Sequence, residues 1–425
     1  MVIRKLNKLP KDFISFIRVS SGIAYRLNMK VYLVGGIVRD LIIGRESFDY
    51  DIVVEGDGIE FSMKIARKFN SNFRKHHRFG TATVYYRNYK IDIATCRREY
   101  YPHRGALPRV SRASLGEDLL RRDFTINAMA LSLNKTDYGR LIDPYGGYID
   151  LKNGIIRIMH DDSFFDDPTR ILRAIRFEKR FSFRIEKHTL ALLKMAVSKK
   201  ALSSVDDQRL RDELILILKE PSPLKYIKRI QELTGLSFIS KGLRVNKDDY
   251  YIFARIEKAI ELYKNKFSTY RRIEEWIIYL MALLSKLPRN DVIRFCKSFR
   301  LRRGEEKRLV DYFEHRKAAR YLNRNNIKIS RVYFLLYRLS FETIIFLYAS
   351  SRNKTARDNI LFFLNKLTDV RLSINGHDLA RLGFAPKKLY SKVFDGLKMA
   401  KLDKGLVTKN DEIAEAKKIF RRLKK

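Results

Sequence analysis

Strand-like patterning ends before residue 160 of this chain, and that one change of rhythm limits what it can fold into. Up to that point short β-rich runs alternate with brief helical stretches. VYLVGG (31–36) and YDIVVEG (50–56) are separated by the helical IVRDLIIG, and GIEFSMKIARKFN (58–70) carries apolar residues at helical spacing. TATVYYRN (81–88) and YKIDIATC (89–96) read as paired strands turning at Arg87-Asn88. From Asp167 onward the spacing is helical throughout, as in TRILRAIRFEKRF and QRLRDELILILKE. The expected class is therefore α+β, a small mixed-sheet head followed by a long all-helical arm. Pro221-Ser222-Pro223 marks a joint within the arm, and no fixed-period repeat suggests a solenoid.

Charge points to the kind of partner. The chain has 88 Lys and Arg against 48 Asp and Glu, a formal net charge of +40. Such an excess opposes compaction unless a polyanion is the usual partner. Enrichment in charge at high growth temperature raises Lys and Glu together, so it does not account for the sign. A nucleic acid is the expected partner. Cys96 and Cys296 lie far apart and offer neither a disulfide framework nor zinc spacing. Charges interrupt every apolar run of MVIRKLNKLPKDFISFIRVSSG, so no secretory signal is read there. No stretch approaches the roughly 20 apolar residues of a membrane span. A cytoplasmic protein with no membrane partner is expected.

Asp49 and Asp51 flank Tyr50 at a strand's start, so period-two geometry points both carboxylates to one face. A pair that repels itself needs a cation, and Mg²⁺ is a hard ion that takes one or two protein carboxylates together with substrate phosphate oxygens. Asp92, between isoleucines in a later strand, is a candidate third carboxylate for metal-assisted displacement at phosphorus. The plainer alternative is that all three are surface or helix-capping aspartates. Gly35-Gly36 sits between a strand and a helix, where bare amides and a helix N-terminus hold phosphates. Arg39, one turn into that helix, is placed to reach the same phosphates.

These residues belong to a longer series. VGGIVRDLIIGRESFDYDIVV, LLRRDFTINAMAL, DPYGGYIDL and DDPTRILRAIRF resemble, in order and spacing, the motifs of class II tRNA nucleotidyltransferases and bacterial poly(A) polymerases, over roughly residues 20 to 220. LSINGHDLARLGF also resembles the family's C-terminal region. The resemblance implies a polymerase-β-like nucleotidyltransferase head at 1–150, a neck with the nucleobase-recognition motif at 151–220, a helical body at 221–370 and a tRNA-binding tail at 371–425, elongated as a whole. It implies that Arg121 and Arg122 face phosphates or base. Asp123 and Asn127, four apart on one helical face, suit a ribose, with a helix N-cap by Asp123 as the alternative. It assigns the base edge to Asp167 and Arg170, where the family has Glu-Asp and this chain has Asp166-Asp167. Arg173 and Arg176 continue that row as nucleotide contacts or form a solvated basic face. DPYGGYIDL resembles the family's hinge, and DDQRLRDELILIL a helix that buttresses the neck. The implied activity is template-independent addition of CCA, of CC or of A alone to the 3′ end of tRNA. It would use CTP and/or ATP, with Mg²⁺ at Asp49 and Asp51 and contacts along the acceptor stem. A poly(A) polymerase shares the head motifs, and a non-catalytic RNA-binding protein on the same scaffold is the alternative from another class.

Overall fold

The alternating segments fold into one seven-stranded mixed sheet. Its strands are β1 (Lys30–Val34), β2 (Tyr50–Glu55), β3 (Asn72–His76), β4 (Thr81–Tyr86), β5 (Tyr89–Thr95), β8 (Ala130–Ser132) and β9 (Leu141–Ile142). They lie in the order β3-β4-β5-β2-β1-β8-β9, while β6 (Arg97–Tyr100) and β7 (Arg109–Arg112) form a separate antiparallel pair. This computed structural model describes residue 6 and residues 8–46, 49–76, 80–103, 105–267 and 271–424. The turn between β4 and β5 falls where the sequence puts it: Tyr86 pairs with Tyr89, and Arg87 takes a φ of 51°. β2 and β5 run parallel and set Asp51 beside Asp92.

Period two sorts the sheet into two unlike faces. Tyr50, Ile52 and Val54 of β2 join Ile91 and Ile93 of β5 and Val84 of β4 on one face, all buried. The helices Lys11–Arg26 and Gly58–Phe69 supply Phe13, Phe16, Phe61 and Ile65, none of which reaches solvent. The Phe13 and Tyr50 rings stand 4.1 Å apart. On the other face Tyr32 and Val53 pack with Leu115 and Leu119 of the short helix Leu115–Leu120, which starts on a Ser114/Glu117 capping box. Beyond that contact the same face presents Asp51, Asp92 and Lys90.

The chain divides into two compact units, Met1–Ile217 with Lys225–Phe238, and Leu218–Leu224 with Ile239–Lys425. The expected boundary at residue 150 falls inside the helix Gly147–Lys152, and the first unit runs on through Thr169–Phe181 and Lys187–Ser198 and into Asp207–Leu218 as far as Ile217. Close packing accounts for this. A Cβ on Gly147 would sit 2.1 Å from the carbonyl oxygen of Thr125, so the helix entry lies directly on the 3-10 turn Thr125–Asn127. The second unit is helical, and every residue from Trp276 to Leu284 is buried. Its C-terminal stretch has a small core of its own, built on Leu379, Val393, Leu397 and Ala416. Among the described residues no single helix is long and apolar enough to cross a membrane.

Candidate active site

The parallel register of β2 and β5 gathers the three aspartates. Asp51 is aligned with Asp92, and Asp49 stands just before β2. One carboxylate oxygen from each lies within 4.8 Å of the others. Burial raises the pKa of Asp51 to about 6, the neighbouring charge of Asp49 and then of Asp92 adds to the rise, and Arg122 opposes it. Lys90 lowers it as well, but the two cations do not offset burial and the two neighbouring carboxylates. The donor set is oxygen only, with no nitrogen or sulfur, which fits a hard divalent ion.

Gly35 forms the floor beside them. It has a φ of +76°, and a Cβ there would lie 3.0 Å from Arg122 Nη1 and 3.6 Å from Asp51 Oδ2. Only glycine permits both the left-handed turn and the approach of these two side chains. Gly36 opens the helix Gly36–Ile43, whose N-terminus points out of the same turn. Arg122 and Arg121 are aimed by Asp118, which is fully buried: Arg122 Nη2 donates to Oδ2 at 2.9 Å and Arg121 Nη2 to Oδ1 at 2.7 Å. Burial pushes the Asp118 carboxyl up, but the two guanidiniums outweigh it and hold it below its usual range. Glu99 takes a further bond from Arg121 at 2.9 Å. Asp51, Asp92, Arg121 and Arg122 line one cleft of about 460 Å³, together with Thr83, Lys90 and Arg97.

The other expected nucleotide-binding residues are not among those lining this cleft. Arg39 is buried, 5% exposed. Its guanidinium donates to Asp40 Oδ1 at 2.9 Å and to Asn127 Oδ1 at 2.6 Å, and lies 4.6 Å from the Phe181 ring centre. The physical reason is local: an apolar eight-residue helix packs its first turn inward, and Asp40 and Phe181 wait there. Residues 125–127 form a single 3-10 turn and not an α-helix, yet Asp123 and Asn127 still meet, at 2.8 Å. Asp123 also accepts two bonds from Arg173, at 2.9 and 2.6 Å. Arg173 reaches on to Glu213 Oε1 at 3.0 Å, and Glu213 lies 3.3 Å from Arg176. Burial alone would raise Asp123, but Arg173 and Asn127 bring it down to about 2. The row on Thr169–Phe181 is thus no solvated face, since Arg170 and Arg176 are 4% and 6% exposed. Arg170 donates to Ser163 Oγ at 2.5 Å and to the carbonyl of Arg121 at 2.8 Å, and Asp167 pairs with Arg209 at 2.7 Å.

Several partners escape a reading by motif. Asp118, Glu99, Arg209 and Glu213 each hold a residue that the motifs name. Asp118 was findable, because Asp-x-x-Arg-Arg spacing at a helix's C-terminal end brings both guanidiniums back to it. Lys90 and Asp92 were findable as a period-two pair on one strand face. Glu99, Arg209 and Glu213 meet their partners only through the tertiary fold.

Comparison with known proteins extends the picture. Residues 31–157 match the poly A polymerase head domain. The A-adding tRNA nucleotidyltransferase of Geobacter sulfurreducens is 36% identical over 97% of this chain and 48% of its own length, so the chain spans about half of that curated relative. The A-adding tRNA nucleotidyltransferase of Halalkalibacterium halodurans is 31% identical over 97% of this chain and 94% of its own. A solved Thermotoga maritima CCA-adding enzyme complexed with tRNA is 33% identical and superposes with a TM-score of 0.74, covering 99% of this chain and 98% of that one.

Proposed function

The chain belongs to the tRNA nucleotidyltransferase family, and from that premise we propose that it adds AMP from ATP to the 3′ end of tRNA without a template, releasing pyrophosphate. The observation that carries this reading is the row of carboxylates beside Gly35 and Arg122, a metal-type donor set abutting a phosphate-type one. The choice of ATP rests on the relatives named A-adding.

Asp49, Asp51 and Asp92 would hold Mg²⁺, whose chemistry there is to acidify the primer's 3′-hydroxyl and offset the triphosphate charge. Arg122, kept in place by Asp118, binds the triphosphate with the amides at the start of Gly36–Ile43. Arg121 lines the same cleft and lends its carbonyl to Arg170, so the phosphate end and the base-reading helix are fixed to each other. Asp167, held by Arg209, presents a carboxylate to the amino group of the base. The ladder of bonds from Arg39 through Asn127, Asp123, Arg173 and Glu213 to Arg176 keeps these elements in register. The basic helical segment from residue 221 on, with its tail at 371–425, binds the acceptor stem through phosphates and A-form shape. The expected compartment is the cytoplasm.

The test uses tRNA transcripts ending at the discriminator base, at C and at CC, each incubated with ATP or CTP alone. Extension of the CC end by a single A, with CTP inert on all three, is the expected result. Addition of CTP to the discriminator end would make this a CC- or CCA-adding enzyme, and repeated addition of ATP to unstructured RNA would make it a poly(A) polymerase.

A further inference from the structure

Lys90 lies outside the family motif series, yet it touches the candidate metal site. It lies two residues before Asp92 on β5, on the same face, with Nζ 2.7 Å from Asp92 Oδ2. The other oxygen of Asp92 accepts from Thr83 Oγ1 at 2.5 Å. Asp92 therefore meets the cluster with both oxygens engaged, one of them by a full positive charge. A divalent ion that takes that oxygen competes with the ammonium for it.

The sheet register shows where the ammonium would go. Outward from Asp51 the aligned row runs through Asp92 and Thr83 to Arg74 on the edge strand β3. The next row on this face is Lys90, Tyr85 and Asn72. Asn72, Arg74, His76, Tyr85 and Lys90 are all exposed. Gly35 and Arg122 stand on the opposite flank of Asp51. One flank is thus enclosed and rich in guanidinium, and the other is an open polar strand surface whose nearest cation to the carboxylates, among the described residues, is Lys90.

We propose that Lys90 is the resident counter-ion of the carboxylate cluster, and that a divalent ion at Asp92 releases it to a backbone phosphate at the RNA 3′ end. This rests on the reading of Asp49, Asp51 and Asp92 as the metal site. In the metal-free protein the ammonium offsets part of the repulsion among three carboxylates. An exposed lysine–carboxylate pair is weak, so a divalent ion wins the exchange. The freed side chain then faces the flank left open for the primer, the polyanion that has to approach this cluster. Metal binding and primer binding are coupled through one side chain.

The experiment is Mn²⁺ binding to the full chain, followed by the electron paramagnetic resonance signal of the free ion, with no substrate present. Lys90→Met should bind Mn²⁺ roughly fivefold more tightly than the unaltered protein, because nothing competes for Asp92. Lys90→Arg should restore the original affinity. With saturating ATP and Mg²⁺, Lys90→Met should raise the KM for CC-ended tRNA more than it lowers kcat. It should also reduce the slope of log KM against log salt by roughly 0.7–0.9, one phosphate contact fewer. Equal or weaker Mn²⁺ binding by Lys90→Met overturns the counter-ion role, and an unchanged salt slope overturns the release to phosphate. Asp51→Asn separates the two levels. If it keeps full Mn²⁺ affinity, the metal site itself is misassigned and the proposal falls with it; if it loses Mn²⁺ while Lys90→Met is unaltered, only the role of Lys90 fails.

Discussion

The carboxylates at Asp49, Asp51 and Asp92 and the ladder running from Arg39 to Arg176 use the same kinds of side chain in the same unit, to opposite ends. In the ladder every acid is matched: Asp40 by Arg39, Asp123 by Arg173 and Asn127, and Glu213 by Arg173 and Arg176. In the cluster three acids share Lys90 and the partial attention of Arg122, which Asp118 already claims. The consequence is visible in two aspartates, Asp123 brought down to about 2 and Asp51 pushed up to about 6. A saturated acid becomes a structural joint, whereas an unsaturated one is available for a substrate or an ion.

Removing an acid from the open cluster should be ruinous for activity. Asp51→Asn keeps the shape and removes the charge, and should lower single-turnover AMP incorporation by at least roughly a thousandfold. Near-normal turnover with Mg²⁺ would mean that the cluster is not where the chemistry occurs. Removing a cation from the ladder should act on folding instead. Arg173→Ala leaves Asp123 and Glu213 facing each other with no shared guanidinium, and breaking a buried ion pair on one side costs about 3–5 kcal/mol. Urea unfolding measures it, and a loss below about 1 kcal/mol would show that the ladder is not saturated in solution.

The same contrast predicts a gain. With no metal present, the raised pKa of Asp51 means that the folded state binds its proton more tightly than the unfolded chain does. Stability from this group is present below about pH 4 and is lost as the pH rises through about 6. At pH 7.5 the metal-free Asp51→Asn variant should therefore be more stable than the unaltered protein by about 2–3 kcal/mol. The two should converge near pH 4, and Mg²⁺ should shrink the gap at pH 7.5 by stabilising only the protein that retains Asp51. A variant less stable than its parent at every pH would contradict the unpaired state of the cluster.

How much of this was legible beforehand divides along the same line. The open cluster could be read from the chain, because Asp49 and Asp51 obey period two, Asp92 lies in an evident strand, and the glycine turn precedes a helix. The sheet, the turn at Arg87 and the helical remainder follow from the same local rules. The ladder could not be read. Nothing near Arg39 in sequence announces that the fold places Phe181 and Asn127 beside it, and Arg173 looks free until Asp123 and Glu213 arrive from segments far away in sequence. A local pattern announces a residue's type and direction, but saturation is decided by tertiary partners.

The smallest expected effect tests the saturated side by titration. Asp123 is held down to about 2 against an ordinary 3.8, chiefly by Arg173 and Asn127 working against burial. A depressed folded-state value gives stability that is fully present above the unfolded pKa and disappears as the pH falls through the folded one, so the window is about pH 4 down to pH 2. The shift corresponds to about 2 kcal/mol. Other carboxylates are also held below their usual range, Asp118 among them, so a single acid-unfolding curve does not isolate Asp123. Asp123→Asn does. It removes the titrating group and leaves the rest, and although it starts less stable at pH 7 because Arg173 loses one of its two carboxylates, its remaining decline should be shallower. Unfolding free energies from urea melts at intervals between pH 5 and pH 2 should show the unaltered protein losing about 2 kcal/mol more than the variant. Parallel curves would mean that Asp123 titrates as it does in the unfolded chain, and the difference between the two clusters would then lie in burial alone and not in how their charges are matched.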